Sequence, residues 1–130
     1  MSKFYLGGAQ SMGIKNLHNV DVFVSNVKKA KKWYRDKLGM KLIDDQGHWV
    51  TFAVSEKDEA TLIHLCDEGA IRKGPTGIGF STDDIIATYK ELKKKGVEFT
   101  KPPRDEGFGP YAVFKDLDGN EFYLYQGMKE

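Results

Sequence analysis

The chain has 130 residues, 40% of them hydrophobic and 30% charged, which suits one globular domain with a core of its own. Twenty basic side chains against nineteen acidic ones leave a net charge of +1, so the charge balance offers no attraction for nucleic acid or an anionic membrane. No apolar run approaches the ~20 residues that span a bilayer, no signal-peptide pattern opens the chain, and the lone Cys66 cannot pair internally, so a cytoplasmic protein is expected.

Residues 1–13 are Gly- and Ser-containing and read as an N-terminal arm, ahead of a single domain over 14–130. From Leu17 the pattern has period two: Val20, Val22 and Val24 alternate with Asn19, Asp21 and Phe23, as in a strand with one face on a core. Ser25 or Asn26 can cap a helix whose Val27, Ala30, Trp33, Tyr34 and Leu38 recur at helical spacing, and Gly39 is placed to end it. Strand-like stretches follow at Met40–Ile43, Trp49–Val54 and Ala60–Cys66, separated by turn-forming tracts.

The same order then recurs. Gly77–Thr82 reads as a strand, and Asp83 or Asp84 caps a helix with inner positions Ile85, Ile86, Tyr89 and Leu92, stopped by Gly96. Val97–Thr100 mirrors Met40–Ile43, the Pro102 to Pro110 tract reads as a loop, and Tyr111–Lys115 and Glu121–Tyr125 are the last strands, joined by a turn over Asp116–Asn120. Overlaying the halves aligns Ala30 with Ala87, Gly39 with Gly96 and Leu42 with Phe99. The expected fold is therefore α+β: two βαβββ modules (14–66 and 76–126, with a linker at 67–75) forming a curved mixed sheet around a pocket, with helices outside. One helix on four strands is too little core for a module to stand alone, so the modules must pair.

Two stretches carry a family resemblance. Val24-Ser-Asn-Val, with Ala30, Trp33, Tyr34, Arg35-Asp and Leu38-Gly39, resembles the first helix of the vicinal oxygen chelate superfamily, the glyoxalase I, bleomycin-resistance and extradiol-dioxygenase group. Val113-Phe-Lys-Asp-Leu-Asp-Gly-Asn-Glu-Phe-Tyr-Leu resembles its closing hairpin. The resemblance covers residues 14 to 126 and speaks for the fold more than for one activity.

Enzymes of that superfamily usually hold a divalent metal with His and Glu from the first and last strands of each module. Carried over residue by residue, the resemblance puts these positions at Asn19, His64, Gly77 and Tyr123. Only His64 is a good donor; His18, one residue off Asn19, would face the other side of its strand. The usual metal centre is therefore expected to be lost, and a divalent metal held through His64 is the alternative.

Other residues stay open between two readings. His64 reads as a hydrogen-bonded histidine lining the sheet or as an acid–base group, and with Tyr123 it is a candidate for chemistry. Asp21 reads as pocket wall or as a solvated edge-strand residue. Phe23, Trp49, Tyr111, Tyr123 and Tyr125 suit a pocket for a flat or apolar ligand, or a dimer interface, and Phe108 a lid or a plain loop. His48 beside its turn and the lysine runs of both helices read as solvated surface, and Asp116–Asn120 lacks the glutamate of a calcium loop.

The function expected is binding of a small molecule without a cofactor. The alternatives are a metal-dependent lyase or isomerase resembling lactoylglutathione lyase, and a non-catalytic interaction module. By resemblance a homodimer is expected, since family members often complete the pocket across subunits.

Overall fold

The Asn26 side chain accepts a hydrogen bond from the Lys29 amide and starts the first helix, α1 (Val27–Leu38). Gly39 ends α1 in the left-handed region at φ 72°, returning its N–H to the Arg35 and Tyr34 carbonyls. The second helix, α2 (Ile85–Lys94), begins the same way: Asp84 accepts from the Ala87 amide. The structure, a computed structural model, describes residues 13–57, 61–70 and 73–127. The arm expected over 1–13 lies outside the described residues except for Gly13.

Around these helices lie β1 (Asn19–Phe23), β2 (Lys41–Asp45), β3 (Trp49–Ala53) and β4 (Leu62–Cys66) in the first half, and β5 (Gly74–Thr82), β6 (Glu98–Asp105), β7 (Pro110–Lys115) and β8 (Asn120–Gln126) in the second. Each half is a βαβββ module with its own four-stranded sheet, ordered β1-β4-β3-β2 and β5-β8-β7-β6. The helix carries the chain across each sheet, so β1 lies parallel to β4 and β5 parallel to β8. The fold is the expected α+β pair of modules, built as two mixed sheets and not as a closed barrel.

Three local readings change. β5 starts at Gly74, three residues earlier than the pattern suggests. β6 runs through Pro102 and Pro103 to Asp105 where a loop was expected. It is an edge strand whose register shifts on either side of Lys101, so prolines cost it no obligatory ladder bond. Ile86, expected inside, is 48% exposed; α2 buries Ile85 and Leu92 instead.

One core serves both modules. Val27, Ala30, Trp33 and Tyr34 of α1 and Ile85 and Leu92 of α2 cluster with Val22, Phe52, Ile63 and Leu65 of the first sheet and Phe114, Phe122 and Leu124 of the second. Tyr34 sits at the seam, its ring centroid 6.4 Å from Phe52 and 6.3 Å from Phe122. Its hydroxyl donates to Asp116 Oδ2, whose other oxygen accepts the Asp118 and Asn120 amides at 2.9 Å each. Asn120 Nδ2 also reaches the Phe23 carbonyl at 3.2 Å, and the Ser25 amide donates to Asp118 at 3.1 Å. The Asp116–Asn120 turn therefore clamps module two to the β1–α1 corner of module one. Burial and the Asp116 carboxylate raise the Tyr34 hydroxyl well above the usual tyrosine range.

Both sheets point one set of side chains into the shared core, so the other set on each sheet points away from it. The His64 side of the first sheet and the tyrosine side of the second are thus both off the shared core.

Candidate functional site

The outer face of module one carries a polar cluster. β1 and β4 pair with Asp21 opposite His64. His64 Nδ1 lies 3.0 Å from Asp21 Oδ1, and because a carboxylate only accepts, that nitrogen carries the proton. Asn19 Nδ2 donates to the same Asp21 oxygen at 2.9 Å, and His18 Nδ1 donates to Asn19 Oδ1 at 2.8 Å, fixing the amide's orientation. The Trp49 ring covers His64 with centroids 5.0 Å apart at 55°. Across the sheet the pairing runs Asp21, His64, Thr51 and Asp44, so two carboxylates end a row with histidine inside it. The His64 side chain is 14% exposed and that of Asp21 37%.

The outer face of module two is aromatic. Tyr123 and Tyr125 stack with centroids 5.7 Å apart at 25°, and Tyr111 lies 6.3 Å from each. Gly79 makes the arrangement possible: a Cβ there would stand 2.6 Å from Tyr125 Cε2, where the ring lies across β5. Phe108, 66% exposed, extends the set at 5.2 Å from Tyr111. The Tyr111 hydroxyl donates to Glu106 at 2.7 Å, and Arg104 pairs with the same carboxylate at 2.9 Å. That hydrogen bond raises the Tyr111 hydroxyl and lowers the Glu106 carboxyl. Lys101 Nζ stands 5.9 Å from the Tyr111 ring centre, leaving the platform with a basic rim.

The aromatic residues expected in one set are therefore divided. Trp49 belongs to the His64 face and the three tyrosines to the opposite module. Phe23 packs under the 67–70 segment, where Gly69 lies so close that a Cβ would come 2.4 Å from the ring. Asp21 has the partner that its position required, and His64 has an orienting carboxylate that no nearby residue in sequence announces. The signal that could have found it is the module order, which makes the first and last strands neighbours. Cys66 is buried, and burial raises its thiol.

The four positions that the family resemblance marks for metal ligation do not converge. Asn19 and His64 lie together at 3.3 Å, whereas Gly77 has no side chain and Tyr123 stands in the stack on the other sheet. Among the described residues no group of three or more His, Cys, Asp or Glu could hold a metal ion. This donor set does not fit the superfamily's usual centre. A cleft of about 490 Å³ between the β1 and β5 edges is lined by Val20, Ile63, Ile78 and Phe80, without converging charged groups. No helix among the described residues is long and apolar enough to cross a membrane.

Comparison with known proteins places this geometry. The uncharacterized protein YetH of Bacillus subtilis (strain 168) is 32% identical over 120 residues, covering 85% of this chain and 98% of its own. A glyoxalase/bleomycin resistance protein/dioxygenase superfamily member from Sphaerobacter thermophilus DSM 20745 superposes with a TM-score of 0.78 at 32% identity, over 88% of this chain and 98% of its own. TnmS3, an antibiotic binding protein from Streptomyces sp. CB03234, gives a TM-score of 0.81 at 30% identity, over 91% and 100%. The sequence model of the superfamily matches residues 16–124, both modules and the linker between them. With the paired βαβββ modules, that match assigns the chain to the glyoxalase/bleomycin resistance protein/dioxygenase superfamily.

Proposed function

We propose that this chain binds a flat, partly aromatic small molecule, with no bond made or broken and no metal required. The observation that carries the reading is the tyrosine platform: three rings on one sheet face, Tyr125 stacking with both Tyr111 and Tyr123, with Tyr125 38% exposed and the backbone of β5 cut back to glycine beneath it. Such a surface takes a planar ligand by stacking and by hydroxyl hydrogen bonds. The likeness to TnmS3, an antibiotic binding protein, supports a ligand of that kind.

The His64 cluster lies on the first sheet and the tyrosine platform on the second. The reading also includes a homodimer in which the His64 face of one copy closes over the tyrosine face of the other. The acidic row of the first then meets the Lys101 and Arg104 rim of the second.

The test is titration of the purified protein with planar aromatics (hydroxyanthraquinones, coumarins, acridines), followed by calorimetry and by mass spectrometry of the recovered ligand. Saturable binding of unchanged ligand is expected, with Tyr123→Ala losing about tenfold or more in affinity, the order of one lost aromatic contact. A protein that binds none of them, or converts them, refutes the reading.

A further inference from the structure

A carboxylate beside the tyrosine platform has no cation of its own. The outer face of the second sheet is built in cross-strand rows. Tyr123 stands between Gly79 and Val113, with Lys101 beyond at the β6 edge, and Tyr125 between Ser81 and Tyr111, with Arg104 beyond. The next row runs Pro75, Glu121, Lys115 and Glu98, two carboxylates to one ammonium. Lys115 Nζ goes to Glu98 at 3.2 Å, and among the described residues Glu121 forms no ion pair. Strand alternation sets half-buried Glu121 on the same side as Tyr123, two residues and so ~6–7 Å along β8. The other charges of the face are engaged. Arg104 pairs with Glu106 at 2.9 Å, and Asp105 Oδ1 accepts the Gly107 and Gly109 amides. Lys101 stands over Tyr111 at the far edge, on the rim that the homodimer above turns to its partner.

We propose that Glu121 makes the platform select planar ligands that carry a cationic nitrogen. The ring of such a ligand lies on Tyr123 and Tyr125, and its positive end points along β8 to the Glu121 carboxylate, away from Lys101. The tyrosines act in the same direction, because the negative face of each ring attracts a cation. Glu121 is partly open to water, so its attraction amounts to a several-fold gain in affinity and not to orders of magnitude. The inference rests on the small-molecule reading above and adds the charge of the ligand to it.

The probes are three tricyclic rings of one shape and different charge: N-methylacridinium (cation), acridine (neutral) and acridine-9-carboxylate (anion). Each is titrated by calorimetry into the full chain, as wild type and as Glu121→Gln, at a pH just above neutral where acridine carries no proton. Wild type is expected to bind the cation about three- to tenfold more tightly than acridine, and the anion most weakly. Glu121→Gln should bring the cation within about twofold of acridine by weakening the cation alone. The unchanged acridine affinity then shows that the platform is intact. Added salt should weaken the cation in wild type and leave acridine as it was. Acridine or the anion binding wild type as tightly as the cation overturns the proposal, as does a preference that survives undiminished in Glu121→Gln. Failure of all three probes to bind wild type instead refutes the small-molecule reading, and this inference with it.

Discussion

Gly79 and Tyr34 show how single residues serve the two tasks of this molecule, presenting a face and joining the modules. Gly79 lies outside the positive-φ region that glycine alone tolerates, so its backbone accepts alanine, but the added Cβ meets the Tyr125 ring at 2.6 Å. Gly79→Ala should therefore fold normally and swing Tyr125 off the platform. Affinity for a planar ligand should drop about three- to tenfold, the worth of one aromatic contact, as calorimetry would show. Tyr34 is buried at the seam and donates to a buried Asp116. Tyr34→Phe removes that donor and should cost about 1–3 kcal/mol in urea denaturation, because Asp116 is left short of a partner. In the unfolded chain this hydroxyl loses its proton near pH 10.0, while the folded protein holds it well beyond. Between those values the folded state binds the extra proton, so stability is complete below about pH 10 and falls as pH rises above it. Stability measured against pH should show that alkaline decline in wild type, with one proton's worth less slope in Tyr34→Phe.

At the scale of elements, the helices are set by their ends and the strands by their neighbours. Asn26 and Asp84 each satisfy a first-turn amide, so Asn26→Ala and Asp84→Ala should each lower stability by about 1 kcal/mol, read from thermal or urea unfolding, without moving the sheets. These caps, Gly39 and the inner positions of α1 are readable directly, because capping and helical period are local properties. β6 is not: its Pro102-Pro103 pair reads as a loop, and only its place at the sheet edge, beside a shifting register, makes it a strand. Ile86 is similar. Helical period gives it an inward place, but α2 packs mainly on β6, β7 and β8, and the sheet covers the Ile85–Leu92 side.

For the whole molecule, the His64 face lies on the first sheet and the tyrosine face on the second, and the homodimer proposed above would join the two across copies. A decisive measurement mixes two variants, each with one face disabled: His64→Ala with Asp21→Ala, and Tyr123→Ala with Tyr125→Ala. Alone, each should bind ligand at least tenfold more weakly. Mixed and allowed to exchange subunits, they should recover about one intact site per mixed dimer, because the second copy's healthy face completes the first's. No recovery in a confirmed mixed dimer would show that each face acts by itself.

By itself the sequence determined the repeated module order, the helix ends and the core-facing valines. Each depends on residue type at a fixed spacing along the chain. The partnership of Asp21 with His64, 43 residues apart, depended on β1 lying beside β4. The separation of Trp49 from the tyrosines depended on which side of each sheet the common core took. Alternation along a strand says that two faces exist. Only the packing of both modules on one set of helices decides which face is buried, and therefore which residues meet.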